Sequence, residues 1–192
     1  MSCAEDANLV ERILEAVRQI PEGYVSTYGE IAKALGDVRA ARVIGATLGN
    51  YSSPIKVPCH RVVYGDGRVG WWGGAGKGSG HKTEMLEKEG VRIVDGMVEN
   101  LEERLFRDFR VEPVLRILSE QQSRWRDDVI DRDEFGELKR VAGLDVAYDG
   151  DVGYAAMVVL DVGTEEIVET RTSSCISRFP YIPSYLGFRE TP

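Results

Sequence analysis

The residues of this sequence best suited to covalent chemistry are Cys59 and His60, which are adjacent in the stretch 54–63. A cysteine is a strong nucleophile only as the thiolate, and a free thiol with a pKa of about 8.5 is mostly protonated at neutral pH. The neighbouring histidine could accept the proton, directly or through a water, if a third group orients its ring. Pro58 fixes its own φ and favours an extended Val57, which predicts that the cysteine is presented from a stiff turn. The alternative is a buried structural cysteine beside a chance histidine.

The string PCHRV at residues 58–62 resembles the acceptor motif of the O6-alkylguanine-DNA alkyltransferases. Proteins of that family move an alkyl group from damaged guanine onto this cysteine. The resemblance covers about residues 6–110 and implies a mostly α-helical domain with a helix-turn-helix, similar to a winged helix. It also implies that Cys59 is the acceptor and that each molecule acts once, because the thioether product is stable.

Composition and charge are those of a globular protein. The 192 residues are 43% hydrophobic and 29% charged, and the net charge of -8 argues against an overall basic nucleic-acid binder, although a local cationic face is enough for DNA binding. The three cysteines, Cys3, Cys59 and Cys175, are far apart, which argues against a disulfide framework or a zinc site. We find no signal peptide and no apolar run approaching the ~18 residues of a membrane span, so we expect a cytoplasmic protein that does not associate with a membrane. We also expect a monomer.

Two short helices separated by a Gly-Asp turn precede the cysteine. Thr27 and Glu30 form a capping box that predicts the first helix, Gly36 marks its end, and Asp37 can cap a second helix that runs to Leu48. This arrangement is typical of a helix-turn-helix. The small residues of the second helix are equally consistent with simple helix packing. Other patterns predict helices at 9–20, 82–89, 101–110 and 114–131, and strands at 91–94, 97–98, 141–148, 154–160 and 167–171.

The resemblance implies roles for residues on both sides of the cysteine. An alkyltransferase arginine that matches Arg42 enters the base stack where the lesion rotates out, and a tyrosine that matches Tyr28 assists the guanine leaving group. A glutamate that matches Glu89 orients the histidine. Asn50 matches a hinge asparagine under the cysteine, although it lies one residue further from the cysteine than in the family. Further DNA contacts are expected from Arg39, Thr27 and Arg61.

A glycine-rich loop follows the motif at residues 71–80. It is not a phosphate-binding loop, because no Gly lies five residues before Gly76 and Lys77 is followed by Gly rather than Ser or Thr, so no nucleotide cofactor is expected. In the family the matching loop walls the alkyl pocket, and Trp72 stands where a tyrosine is usual. Its indole offers an apolar wall but no hydroxyl. The expected pocket residues are Trp72, Gly73, Gly74 and Val62.

The second part of the chain resembles a different DNA repair family. Four motifs stand in the order seen in endonuclease V, which nicks DNA near deaminated bases: EQQ at 120–122, GLDV at 143–146, PYIP at 180–183 and FRE at 188–190. A three-stranded meander with an acid in a first strand predicted to be buried also resembles the opening of a ribonuclease H-like nuclease. The resemblance implies that Asp145 and Glu190 are Mg²⁺ ligands and that Tyr181 is a wedge that props open the duplex.

The expected organisation is an alkyltransferase domain at residues 1–111 and a partial α/β, endonuclease V-like piece at 112–192, divided near Pro113. This order resembles that of fused alkyltransferase–endonuclease V proteins of archaea. Endonuclease V uses a further acid on a later strand, and Mg²⁺ favours near-octahedral oxygen ligation, with bridging acids in two-metal displacement. We therefore expect the second piece to be inactive as a nuclease by itself.

Three functions remain open. The first is single-turnover transfer of an alkyl group from O6-alkylguanine in double-stranded DNA to Cys59, without a cofactor. The second is a non-catalytic lesion binder of the alkyltransferase-like type, against which Cys59 argues because those proteins carry tryptophan at that position. The third is a Mg²⁺-dependent nuclease acting at deoxyinosine, which would need residues beyond 192.

Overall fold

The computed structural model describes residues 8–51, 57–70 and 78–190. The chain divides into two compact units. The first unit comprises residues 6–120, and the second comprises residues 121–192. The division falls within a helix, on the C-terminal side of the predicted boundary at 111/112. No helix among the described residues has the length and apolarity needed to cross a membrane.

The first unit begins with the predicted amphipathic helix, α1 (Leu9–Arg18). The side chain of Asn8 caps it by accepting a hydrogen bond from the Glu11 backbone N–H at 3.1 Å. The apolar residues spaced at helical intervals are buried, and the charged residues between them face outward.

The predicted helix-turn-helix is present. Helix α2 (Tyr28–Ala34) starts at Thr27, whose hydroxyl accepts the Glu30 backbone N–H at 3.1 Å. The turn contains Gly36 at a φ of 105°, a left-handed value that a residue with a Cβ adopts only with strain. A 3₁₀ turn (Val38–Ala40) leads into α3 (Ala41–Asn50), so the second helix is tighter at its start than predicted and extends through Asn50.

A short parallel strand pair connects the helix-turn-helix to the cysteine motif. Strand β1 (Ser26–Thr27) immediately precedes α2, and β2 (Val62–Val63) immediately follows a 3₁₀ turn at Cys59–Arg61. Ser26 pairs with Val62 and Thr27 with Val63. The pairing therefore brings the start of α2 beside the motif, although the two are more than thirty residues apart in the chain.

The remaining elements of the first unit pack around a small apolar core. Helix α4 (Gly78–Lys88) is followed by the predicted hairpin of β3 (Ile93–Val94) and β4 (Met97–Val98), which turns at Asp95 and Gly96 with positive φ at both. The buried residues of this core come from strands, turns and α4: Val25, Val63, Val69, Leu86, Val91 and Val98.

The prediction of a helix over 101–110 is wrong beyond its first turn. Helix α5 covers only Leu101–Arg104, and the chain then runs extended beside β1. The Val25 backbone N–H donates to the Arg104 carbonyl at 2.9 Å, and Phe106 donates back to Val25 at 2.7 Å. These pairings with Val25, the residue before β1, replace hydrogen bonds that a longer helix would have made.

Helix α6 (Val114–Asp127) leads into the second unit, which contains the predicted meander. Strands β5 (Arg140–Asp149), β6 (Val152–Asp161) and β7 (Ile167–Ile176) are antiparallel in the order β5-β6-β7, and the unit ends in α7 (Leu186–Glu190). The prediction that β5 is buried is wrong, because Leu144 is 76% exposed. The buried residues of this unit instead gather around α7: Phe179, Ile182, Tyr185 and Phe188.

Candidate active site

The cysteine lies in a tight, buried turn. Cys59 opens the 3₁₀ turn directly after Pro58, and only 5% of its surface is exposed. The Cys59 backbone N–H donates to the Val57 carbonyl at 2.8 Å, and Arg61 donates to the Pro58 carbonyl at 2.9 Å. These two short-range bonds and the fixed φ of proline hold the backbone on both sides of the thiol.

A carboxylate from another element orients the histidine. Glu89, the residue after α4, has its Oε1 2.8 Å from His60 Nε2 and 2.7 Å from an Arg61 terminal nitrogen. Arg61 Nε donates to Glu89 Oε2 at 2.8 Å, so the guanidinium binds both carboxylate oxygens. The remaining terminal nitrogen of Arg61 donates to the Ile20 carbonyl at 2.8 Å. The arginine thus anchors the glutamate that anchors the histidine.

The electrostatics of this group favour a neutral imidazole beside an ionised carboxylate. Burial lowers the pKa of His60, and the hydrogen bond to Glu89 opposes that effect without cancelling it. Burial alone would raise the pKa of Glu89, but hydrogen bonds from Arg61 and His60 outweigh it and hold that pKa below its usual value. A neutral His60 that donates its Nε2–H to Glu89 has Nδ1 as its proton acceptor.

A lysine that sequence reasoning missed lies inside the same region. Lys82 on α4 is 2% exposed, and its Nζ donates to the Val62 carbonyl at 2.5 Å. Burial lowers the pKa of Lys82 to about 8, and burial raises the pKa of the Cys59 thiol to about 11, an effect that the Lys82 charge opposes. Helical spacing is the sequence signal that could have identified Lys82. Lys82, Leu86 and Glu89 fall at positions i, i+4 and i+7, which lie on one face of a helix.

Tyr28 also lies close to these groups. It is the first residue of α2, partly buried, and burial together with Tyr64 and Cys59 raises its pKa to about 12. The phenol therefore keeps its proton at neutral pH and is able to donate it.

Two of the predicted DNA contacts lie on the second helix of the helix-turn-helix. Arg42 is exposed on α3. Arg39 is exposed as well, but its guanidinium binds the Asp37 carboxylate, with Nε 2.9 Å from Oδ2. Asn50, expected under the cysteine, is exposed at the last residue of α3, and its hinge role stays a prediction.

The other two predicted DNA contacts of the first unit, Thr27 and Arg61, form hydrogen bonds within that unit. Thr27 is buried, and its hydroxyl caps α2. Arg61 is bound to Glu89 and Ile20, as described above. Both side chains therefore stabilise the fold around the site, and a DNA contact by either one stays a prediction.

Of the four expected pocket residues, only Val62 lies in the described part of the chain. Val62 is fully buried, and its backbone carbonyl, rather than its side chain, holds Lys82. Trp72, Gly73 and Gly74 lie outside the described residues, so their role in an alkyl pocket stays a prediction.

In the second unit the two predicted metal ligands come from β5 and from the end of α7, and their joint binding of a metal stays a prediction. Glu190 lines a cleft with Val146 and Tyr148 of β5. Side chains alternate between the two faces of a strand, so Asp145 points to the face opposite that cleft. The described residues also contain no group of three or more His, Cys, Asp and Glu side chains that could hold a metal. Tyr181, the predicted wedge, is exposed between β7 and α7.

Lys82→Met should change how stability depends on pH. The folded protein releases the Lys82 proton near pH 8, whereas the unfolded chain holds it to about pH 10.4, so the unfolded state binds more protons and stability rises with pH in that interval. The raised pKa of Cys59 acts in the opposite sense from about pH 8 upward, because the unfolded thiol, with a pKa of about 8.5, ionises first. Relative to Lys82→Met, we expect wild-type protein to gain on the order of 1 kcal/mol of stability between pH 8 and 9, since the Cys59 effect is common to both proteins.

The measurement is urea unfolding followed by circular dichroism across this pH range, with a reductant present. Lys88→Met is the matched control, since it removes an exposed lysine from the same helix and should leave the gain intact. Identical pH profiles for wild type and Lys82→Met would contradict the assignment of Lys82 as a buried titrating amine.

Comparison with known proteins agrees with the two-part organisation. Residues 8–91 match the family model of the 6-O-methylguanine DNA methyltransferase DNA-binding domain, and residues 123–192 match that of endonuclease V. A bifunctional methyltransferase/endonuclease of Thermoplasma volcanium is 39% identical over 186 residues, which are 97% of this chain and 56% of the relative. The chain thus spans just over half the length of that relative.

Two shorter proteins align with the first unit. A DNA base-flipping protein of Vibrio parahaemolyticus is 38% identical over 82 residues, which are 43% of this chain and 79% of the relative. The solved structure of S. pombe Atl1 in complex with damaged DNA containing O6-carboxymethylguanine is 32% identical, with a TM-score of 0.44, and covers 55% of this chain and 98% of that one. From the family matches and sequence identities, the chain belongs to the 6-O-methylguanine DNA methyltransferase family through its first unit and carries an endonuclease V family segment after it.

Proposed function

We propose that this protein repairs DNA by moving an alkyl group from O6-alkylguanine in duplex DNA to Cys59, once per molecule. The observation that carries the proposal is the buried Cys59 thiol directly followed by a histidine that Glu89 holds at 2.8 Å. A cysteine, a neighbouring base and a group that orients the base are the parts that nucleophilic catalysis by a thiol requires.

In the proposed reaction the proton of the Cys59 thiol passes to His60 Nδ1, directly or through a water. The thiolate sulfur then forms a bond to the O6 alkyl carbon as the carbon–oxygen bond breaks, and that electron pair stays with the guanine. Tyr28 donates its phenolic proton to the departing base and recovers one from His60 or solvent. One proton leaves the cysteine and one joins the guanine, so the transfer needs no cofactor.

Lys82 contributes to this step through its charge. A thiol with a pKa of about 11 is almost entirely protonated at neutral pH, so forming the thiolate is a large part of the barrier. The Lys82 ammonium favours the thiolate, and this attraction is strong because both groups are shielded from water. We propose that Lys82 stabilises the thiolate that His60 generates.

In the proposed complex the helix-turn-helix binds the DNA. Exposed Arg42 on α3 is positioned on the helix that enters a groove in such motifs, and in the proposed complex it replaces the extruded base in the stack. Extruding the base costs a few kcal/mol, less where the lesion already weakens its pairing. The base-flipping name of the Vibrio relative supports this mode of binding.

A non-catalytic lesion binder would use the same helix and the same arginine. The presence of a cysteine in the acceptor position, with its base oriented, favours transfer over binding alone. Stoichiometric labelling of the protein separates the two functions.

The test of alkyl transfer is to incubate the protein with duplex DNA containing O6-methylguanine and to analyse its peptides by mass spectrometry. We expect one methyl group per molecule, on the peptide that contains Cys59. Cys59→Ala should lose transfer, whereas Cys175→Ala, which removes an exposed free cysteine from the second unit, should retain it. A protein that binds the lesion but never gains a methyl group would instead be a lesion binder.

Arg42→Ala should weaken binding to lesion-containing DNA by about tenfold or more, in line with the ~1–3 kcal/mol expected of a direct arginine contact. The affinity is measured by fluorescence anisotropy in a Cys59→Ala background, where no reaction consumes the DNA. Arg39→Ala is the matched control on the same segment and should have a smaller effect, because the guanidinium of Arg39 is already held by Asp37. Equal losses for the two variants would argue against a special role for Arg42.

A second candidate function, nicking of DNA at deoxyinosine, is favoured by the endonuclease V match of residues 123–192. Mg²⁺ is the metal expected for such a reaction, but the described residues contain no group of three or more His, Cys, Asp and Glu side chains that could hold it. We propose that this segment cuts DNA only when further carboxylates complete its metal site.

The corresponding prediction is that the 192-residue chain leaves an inosine-containing duplex intact in the presence of Mg²⁺, as judged by denaturing gel electrophoresis. The same duplex cut by an authentic endonuclease V is the positive control. Nicking that Asp145→Asn abolishes would contradict the proposal and would identify the segment as sufficient for catalysis.

A further inference from the structure

Tyr64 lies beside the proposed proton donor, although nothing in the sequence patterns singles it out. Thr27 pairs with Val63, so Tyr28 and Tyr64 each directly follow the last paired residue of their strand. The two rings are in contact, with centroids 5.6 Å apart and an interplanar angle of 56°. Tilted aromatic pairs of this kind are favourable beyond the area that they bury.

The Tyr64 ring is itself held from several directions. Its backbone closes a turn, with Tyr64 N–H donating to the Arg68 carbonyl at 2.9 Å and Gly67 N–H donating back to Tyr64 at 3.0 Å. The Arg68 guanidinium lies 5.1 Å from the ring centroid and is fixed in turn by Asp66 at 2.7 Å.

Gly70 closes the other side of the ring. Its φ is 73°, and a Cβ at this position would lie 2.5 Å from Tyr64 Cε2. The backbone therefore approaches the ring more closely than any other residue type would allow. Gly70, Arg68 and the turn thus limit where the Tyr64 ring can lie and leave it in contact with Tyr28.

Tyr28 needs such a contact. It occupies the first turn of α2, where the cap fixes its backbone but leaves the side chain to be oriented by its contacts. The rate of proton transfer falls steeply when donor and acceptor are misaligned. A phenol that donates to a departing base must therefore be held in one orientation.

We propose that Tyr64 is a positioning residue, which holds the Tyr28 phenol for proton donation to the departing guanine. This inference rests on the proposed alkyl transfer. Tyr64 acts through ring contact with Tyr28, so its own hydroxyl is dispensable and its aromatic ring is not. Its exposed fraction of 43% also leaves a face from which it could instead stack on DNA, and the experiment below separates these roles.

The experiment measures single-turnover methyl transfer at saturating protein for wild type, Tyr64→Ala, Tyr28→Phe and the double variant. We expect Tyr64→Ala to slow transfer about tenfold and to have no further effect in the Tyr28→Phe background, because a residue that acts through another shows full coupling. Tyr64→Phe should retain the wild-type rate. Tyr64→Leu keeps apolar bulk in case the alanine variant is unstable, and it should be slow as well.

Lesion-DNA affinity, measured in the Cys59→Ala background, should change less than twofold on Tyr64→Ala. Multiplicative rate effects in the double variant would overturn the proposal, since they would show that Tyr64 acts independently of Tyr28. A loss of affinity as large as the loss of rate would also overturn it and would make Tyr64 a DNA contact. Absence of methyl transfer by the wild-type protein is a different result, which rejects the proposed function itself.

Discussion

The Glu89 carboxylate, shared between His60 and Arg61, is the interaction on which the reactive part of the structure depends. It joins the end of α4 to the 3₁₀ turn of the cysteine motif, and Arg61 extends the link to the end of α1 through the Ile20 carbonyl. Removing one partner of a buried ion pair costs several kcal/mol, because the other charge is left without compensation. The geometry of the proposed base and the packing of three elements are therefore maintained by the same bonds.

Burial disfavours charge on the reactive groups of the site, although Lys82, with a pKa of about 8, keeps most of its charge at neutral pH. The Cys59 thiol, the His60 imidazole and the Lys82 amine are each enclosed, and enclosure disfavours the charged form of each one. Clusters of groups with displaced pKa values are characteristic of reactive sites. An uncharged thiol is also less prone to reaction with other electrophiles, which suits the single transfer proposed for Cys59.

The two units of the chain bury their residues in different ways. The first encloses its core and its reactive groups within short helices and strand pairs. In the second, the long strands of the sheet keep much of their apolar surface exposed, with Ile176 at 70%, while the buried aromatic residues cluster around α7. An apolar strand sequence is thus compatible with exposure, because burial depends on which other element covers the strand.

What the sequence by itself determined were the features made by residues close together in the chain: the Thr27 cap, the Gly36 turn, the hairpin at Asp95 and Gly96, and the stiff turn at Pro58. Each depends on hydrogen bonds or φ limits that span only a few positions. The PCHRV string further suggested a histidine-orienting glutamate through family resemblance. Only the tertiary structure decided the binding of Arg61 to Glu89, the burial of Lys82, the contact of Tyr64 with Tyr28 and the exposure of β5. Each of these depends on how elements from distant parts of the chain pack, or fail to pack, against one another.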